Sequence, residues 1–474
     1  MKIMVIGSGA REHALVWKLA QSKKTEKIYA APGNGGTAKE EKTENLILEG
    51  ADPLTEKGQK ILLEFAKKQN IDLTVVGPEA PLGAGIAGRF REAGLAIIGP
   101  GEKAARLETS KVYAKSFMEK YGVRTAKAKS FTNPDSALEY ALKHFGANSK
   151  AGVKKSRAGK EKNPDSFKPA PPLVIKADGL AAGKGVVIAK SMDEAKNSIN
   201  AFMKKGVLGE AGKKIIIEQY LEGLEVTVQA AVSVSPGKPL KQAVIKPFLS
   251  ARDHKRRFEG GLGPNTGGMG AIAPVPDFTA AIQKDFETAI LAPTLKGIVA
   301  EKLDYQGFIF FGLMILDGLC RLLEYNVRLG DPETQAVLPL MDSDFTELCE
   351  AMLNGTLADF TLKWNKGAVC APVAASEGYP GSYKSGDPIA INPLGLKRSG
   401  AKIFVAGAKT GAGGALGSGL RTSGGRVLTV SAIGNDPDDA RTKAYEALGF
   451  VRFDGMVYRR DIGREQKESG EDRG

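Results

Sequence analysis

The chain has 474 residues, 67 of them Lys or Arg against 54 Asp or Glu, and is 42% hydrophobic and 26% charged. That length suggests roughly three domains, and the composition is that of a water-soluble globular protein. No run of about 18 apolar residues occurs, so no membrane span is expected; the three cysteines, Cys320, Cys349 and Cys370, make no C-x-x-C pair, which points away from a disulfide framework or structural zinc and towards a reducing, cytoplasmic setting.

The start, MKIMVIGSGAREHAL, runs directly into an apolar strand, with no signal-peptide cleavage pattern. MKIMVIG predicts a strand and REHALVWKLAQS a helix, with GSGAREH between them. A dinucleotide fingerprint needs G-x-G-x-x-G, but Glu12 stands at the third glycine and no acidic residue ends the second strand, KIYAAPGN. A phosphate is still expected there, because such a turn offers backbone N–H groups at a helix N-terminus, with Arg11 and His13 as added donors. The pattern continues with helix TEKGQKILLEFAKKQ, strand DLTVVGPEA, helix IAGRFREAG and strand LAIIGP. Alternation of this kind predicts a parallel sheet with crossover helices, whose ligands sit at the carboxyl ends of the strands. Those ends carry GSGAREH, APGNGGT, GPEAPLGAG and GPG, expected to be loops lining one crevice.

A second region opens near Glu102 with a helix in TSKVYAKSFMEKYG, a strand in AKAKSFT and a helix from Pro134 to Phe145. Residues 150–168 hold seven Lys or Arg against two Asp or Glu, without apolar periodicity. A solvated surface insertion is expected; a nucleic-acid arm would call for interleaved aromatics, and only Phe167 is present. PLVIKADGLAAGKGVVIA then reads strand, glycine loop, strand, with Gly179, Gly183 and Gly185 around Lys184 and Lys176 on the strand before. It is not a Walker A loop, since no helix follows. Such a hairpin can fold over nucleotide phosphates through its N–H groups, or it can be an ordinary flexible turn. KKIIIEQYLEGLEVTVQAAVS predicts two strands with Glu218, Glu222 and Glu225 about their turn. SARDHKRRFEGGLGPNTGGMGAIAP gathers His254, basic residues and six glycines. In LCRLLEYNVRLGDPETQ, Glu324 and Asn326 are two apart on a strand and so share a face, a pair of oxygens that suits Mg²⁺; Leu323, Tyr325 and Val327 are expected on the opposite, apolar face. The last ~110 residues predict a separate, mostly β module ending in a polar tail, EQKESGEDRG. No Ser/His/Asp or Cys/His catalytic arrangement stands out, and of the three histidines His144 is expected to be structural.

GSGAREHALVWKL, APGNGGT, VVGPEAPLGAGI, GPGEKAARLETSK, VIKADGLAAGKGV, HKR, GPNTGGMGA, EYNVRLGDPETQ, GYPGSY, SGGRVL and YRRDIG occur collinearly. Together they resemble the phosphoribosylamine–glycine ligase (glycinamide ribonucleotide synthetase) family of ATP-grasp enzymes, over nearly the whole chain. The resemblance implies an α/β fold: an N-terminal parallel α/β (pre-ATP-grasp) domain at 1–101, an ATP-grasp α+β domain at 102–360 with a mobile lid at about 123–215, a small β-rich C-terminal domain at 361–464, and a disordered tail at 465–474. It implies ATP as a substrate with Mg²⁺ or Mn²⁺, glycine activated as an acyl phosphate, and 5-phosphoribosylamine as acceptor. A monomer is expected, with no nucleic-acid or membrane partner. By the same resemblance Lys111 and Lys176 would contact ATP phosphates, and Gly179, Gly183, Lys184 and Gly185 would close over them. Glu218 and the backbone at Leu221 would hold adenine, and Glu225 the ribose. Glu324 and Asn326 would bind the metal, and Arg328, with Lys184, would act in catalysis. Gly9, Arg11, Glu12, His13, Asn34, Gly35 and Glu79 would receive phosphoribosylamine, with Asn265, Thr266, Gly267, Arg328 and Asp331 completing the substrate side. The chain departs from the family pattern at Ala10, Gln219, Leu224, Leu329 and in FVAGAK, around Val405. Another ATP-grasp ligase, of the biotin-carboxylase kind, and a non-catalytic nucleic-acid binder are the alternatives; GPNTGGMG argues against the first, and the intact Lys176, Lys184, Glu324, Asn326 and Arg328 set against the second.

Overall fold

The computed structural model describes residues 1–150, 170–179, 185–237, 239–411 and 419–464. Nearly all of the basic insertion, Gly183, Lys184 and the tail lie outside these described residues.

The N-terminal strands Lys2–Gly7, Lys27–Pro32, Leu73–Val76 and Ile97–Pro100 pair in parallel, as their alternation with helices requires. A short strand not foreseen, Thr43–Asn45, adds to the outer edge. Ile3, Met4, Val5 and Ile6 of the first strand are all apolar and buried, as a strand covered on both faces requires. Met4 and Ile6 enter one core cluster, and Ile3 and Val5 enter another on the opposite side. GPEAPLGAG, expected to be a loop, contains a short helix, Glu79–Gly83, that Glu79 opens.

The sheet does not stop at Ile97–Pro100. Tyr305–Leu316 pairs antiparallel with it, Tyr305 opposite Pro100. The order continues through Leu224–Val234, Val244–Asp253, Gly270–Ala273, Ala368–Ser376, Arg426–Gly434 and Lys402–Val405, part of one fourteen-stranded sheet. The strands of the C-terminal stretch thus continue the large sheet, a pairing that the sequence does not announce. Ala368–Ser376 is buried along its whole length and takes Gly270–Ala273 on one side and Arg426–Gly434 on the other. A strand with no exposed face needs neighbours across long sequence distances, which local pattern does not reveal. This region keeps a small core of its own, including Ile389, Val427, Val430 and Phe453.

A second, antiparallel sheet stands apart, in the order Ala128–Phe131, Ile215–Gln219, Leu173–Ala177, Val186–Ala189. Phe131, Leu173, Ile175, Ile215 and Ile217 form its core against the helices Pro134–Lys150 and Met192–Ile199. Because side chains alternate along a strand, Lys176 and Glu218 emerge on the other face. Val174 lies opposite Glu218 and Lys176 opposite Ile216, so the two charged residues are diagonal neighbours.

On Leu319–Asn326 the register shifts between Gly312 and Leu313, which pair with Glu324 and Leu322. Leu323 is the extra residue of this irregularity. It is only half-buried, and the fully buried Leu322 takes its expected place on the apolar face. A bulge re-aims the strand locally, and here it turns the Leu323 carbonyl towards Lys176 Nζ, 3.4 Å away. Among the described residues, no helix is long and apolar enough to cross a membrane.

Candidate active site

The residues expected on the nucleotide side meet where the small sheet faces the large one. Ser110 caps the helix Lys111–Tyr121, and Asp178, at the root of the glycine loop, accepts from both Ser110 Oγ and the Val112 amide at 3.0 and 3.1 Å. Lys111 and Lys115, four apart and so on one helix face, both reach towards the loop strand. Lys111 Nζ donates to the Gly179 carbonyl at 3.0 Å. Lys115 Nζ lies 3.2 Å from Glu218 Oε1, while Lys176 Nζ lies 2.9 Å from Glu218 Oε2. Both oxygens of Glu218, expected against adenine, are thus engaged by lysines. Burial pulls the Lys115 ammonium's pKa down despite Glu218. Leu221 is buried beside the crossing to the large sheet, and Glu225 there is paired with Lys255.

Glu324 and Asn326 project together from the end of their strand. Burial is the largest influence on Glu324 and raises its pKa, yet Lys176, Lys255, Lys111 and Arg328 together hold it below the usual carboxylate value. An ionised carboxylate and an amide oxygen are hard donors. Among the described residues no group of three or more His, Cys, Asp or Glu forms a metal cage. That donor set fits an ion of the Mg²⁺ type, which takes the rest of its shell from phosphates and water.

The residues expected on the sugar side gather about the start of the helix Ala10–Ala20. Glu12 folds back so that Oε2 accepts from the Gly9 amide at 2.6 Å and Oε1 from Arg11 Nε at 2.5 Å. Its carboxyl group fills the space that only glycines leave: a Cβ on Gly77 would sit 2.1 Å from Glu12 Oε1. One amide expected to await a phosphate is therefore already satisfied. Both ring nitrogens of His13 are likewise engaged within the protein. The residue is 2% exposed, its Nδ1 accepts from the Val405 amide at 2.8 Å, and Nε2 lies 2.8 Å from Glu40. Asn34 donates to the Ser8 and Val405 carbonyls and accepts from the Gly36 and Thr37 amides, and the Gly35 amide donates to the Ala408 carbonyl. These residues lock the phosphate loop to the C-terminal strand Lys402–Val405. Asn265 is exposed on the hairpin opposite Arg256, and Thr266 Oγ1 donates to the Lys255 carbonyl.

Arg328 joins the two sides. Nε lies 3.0 Å from Glu79 Oε2, and Nη2 lies 3.2 Å from both Asn326 Oδ1 and Glu108 Oε1. Arg11 Nη1 approaches the Leu329 carbonyl at 3.3 Å. Asp331 receives Arg426 Nη2 at 3.1 Å, and Arg426 Nη1 donates to the Gly267 carbonyl at 2.6 Å.

Asp253, Lys255, Glu333, Arg426, Lys115 and Glu108 also belong to this constellation and were not singled out in the sequence. Asp253 and Glu333 are both raised, first by burial; Asp253 is pushed further by Glu333. Lys255, Arg426 and Glu333 lie within HKR, SGGRVL and DPETQ, where the motif was visible and the role was not. Glu108 likewise lies within GPGEKAARLETSK, with no role read for it there.

Three successive family models match the chain: the phosphoribosylglycinamide synthetase N domain over residues 1–108, its ATP-grasp (A) domain over 109–334 and its C domain over 368–465. The chain belongs to the phosphoribosylglycinamide synthetase family. The phosphoribosylamine–glycine ligase of Clostridium acetobutylicum is 50% identical over 465 residues, 98% of this chain and 100% of that one. The crystal structure of phosphoribosylamine–glycine ligase from Thermotoga maritima is similar with a TM-score of 0.75 at 32% identity, covering 98% of this chain and 100% of that one. The biotin carboxylase domain of the Hydrogenobacter thermophilus 2-oxoglutarate carboxylase, solved with MgADP, ADP and bicarbonate, has a TM-score of 0.66 at 14% identity, with 96% and 91% covered. That is a likeness of fold alone. Glu79 and Glu108, the two carboxylates on Arg328, fall within the span matched by the N-domain model, and Arg328 itself within that of the ATP-grasp model.

Proposed function

We propose that this chain joins glycine to 5-phosphoribosylamine with ATP, forming glycinamide ribonucleotide, ADP and phosphate. The observation that carries the reading, beside family membership, is Arg328, which touches Asn326 on the nucleotide side and Glu79 on the sugar side through one guanidinium. A glycine carboxylate oxygen attacks the γ-phosphorus and ADP leaves. The amine nitrogen of the sugar then attacks the acyl carbon, and phosphate leaves as the amide forms.

The chain's residues position and neutralise rather than bond covalently. Lys111 and Lys176 would contact the ATP phosphates, and the glycine loop would close over them. Glu218 orients Lys176 and Lys115 rather than touching adenine. Arg328 balances charge on the transferring phosphoryl group and then on the tetrahedral intermediate. Arg11 and the Ala10–Ala20 helix start receive the sugar phosphate, framed by Glu12, Asn34 and Gly35. Glu324 and Asn326 would hold Mg²⁺ or Mn²⁺, which would supply further neutralisation of the phosphate oxygens. In this reading the substrate region spans 1–101, the ATP-grasp region 102–360 and the C-terminal region 361–464.

The test is phosphate release from Mg-ATP by the purified protein, with phosphoribosylamine generated in place from ribose 5-phosphate and ammonia. Release requiring both glycine and the sugar amine, and lost in Glu324→Ala, is expected. Turnover with other acceptors but not with these would overturn the reading.

A further inference from the structure

Arg328 sits just beyond the end of its strand, where its own segment offers the guanidinium only Asn326 Oδ1 and the Leu329 carbonyl. The charge is met by two carboxylates from elsewhere. Glu79 opens a short helix and its side chain is 30% exposed, whereas that of Glu108 is 7% exposed. Glu108 does more than pair with the guanidinium. Its Oε2 accepts from the Val327 amide at 2.7 Å while Oε1 faces Arg328 Nη2 at 3.2 Å. One carboxylate thus grips both the backbone and the side chain of the strand end, from the last turn of the helix Glu102–Thr109.

We propose that Glu108 is a positioning residue, which holds the Arg328 guanidinium at the junction of the nucleotide and sugar sides without touching substrate. This rests on the role given to Arg328 under the proposed function. Glu79 faces the site and is free to exchange Arg328 for substrate, whereas Glu108 is sealed beneath it. A charge-assisted hydrogen bond sharpens geometry more than a neutral one, and phosphoryl transfer depends on such placement.

The groups facing Glu108 are Arg328, Arg11, Glu79 and the Tyr305 hydroxyl. Burial raises the carboxyl most, Arg328 opposes it and Glu79 adds to it, leaving a pKa of about 7. Acidification towards and below neutrality therefore removes the charge that holds Arg328.

Glu108→Gln keeps an acceptor for the Val327 amide and removes the charge. Its kcat is expected to fall roughly tenfold, with KM for ATP within about twofold of the parent. The acid limb of kcat against pH, centred near 7 in the parent, is expected to flatten in the variant, and Glu108→Asp to restore part of both. Arg328→Gln is measured alongside. If Arg328→Gln keeps full turnover, the proposed role of Arg328 is wrong. If it is inactive while Glu108→Gln has the parent's kcat and pH profile, the positioning role alone is overturned. A Glu108→Gln protein that melts earlier yet turns over normally with an unchanged acid limb overturns the positioning role in the same way.

Discussion

Lys176 Nζ lies 2.9 Å from Glu218 Oε2, with the two side chains 8% and 4% exposed. The pair is diagonal across two antiparallel strands, and Lys115 closes it from the neighbouring helix. Removing one partner of a buried ion pair strands the other charge. Glu218→Ala would strand two ammonium groups, so a loss of about 3–5 kcal/mol is expected, with weaker ATP binding. Urea denaturation measures the first and nucleotide titration the second; an unchanged urea midpoint would count against a structural role for this triad.

His254 gives stability a pH dependence. Burial, then Arg252 and Arg459, push its pKa down to about 4 from an ordinary 6.5. Between those values the unfolded chain binds a proton that the folded chain refuses, so stability is whole above about 6.5 and is lost as pH falls towards 4. From pH 7.5 to pH 5 the imidazole should account for up to about 2 kcal/mol. His254→Gln should shrink the difference in urea midpoint between those two pH values by that amount. An undiminished difference would place the acid sensitivity elsewhere.

Gly77→Ala tests the packing beneath the phosphate loop. The added Cβ would lie 2.1 Å from Glu12 Oε1, so Glu12 must leave the Gly9 amide. Overpacking of this kind costs about 1–3 kcal/mol. KM for the sugar amine should rise more than KM for ATP, because Glu12 stands on the sugar side only. Equal rises in both constants would show that the change is not confined to that loop.

Arg426 ties the C-terminal region to the site through the Gly267 carbonyl and Asp331. Partial burial raises the Asp331 carboxyl, but Arg426 first, then Arg11, bring it below the usual range. Arg426→Ala should leave that carboxylate without its nearest cation, costing about 3 kcal/mol, and should raise KM for glycine or the sugar amine. Arg426→Lys should recover little, since one ammonium cannot span two acceptors as a fork does. Full recovery by lysine would reduce the role to charge alone.

Much of this protein was legible along the chain. The parallel N-terminal strands, the hairpin carrying the glycine loop, the helix that bears Lys111 and the shared face of Glu324 and Asn326 all follow from period, turn chemistry and spacing, which act between near neighbours. Tertiary structure decided the rest. It joined the C-terminal strands to the large sheet, put Leu322 rather than Leu323 into the core, turned His13 towards Glu40 and Val405, and drew Glu218 onto two lysines. Above all it placed Glu108 against Arg328, which lies far along the chain. A buried charge must find its partner wherever the packed elements bring one close, and no local rule of sequence specifies which distant residue that will be.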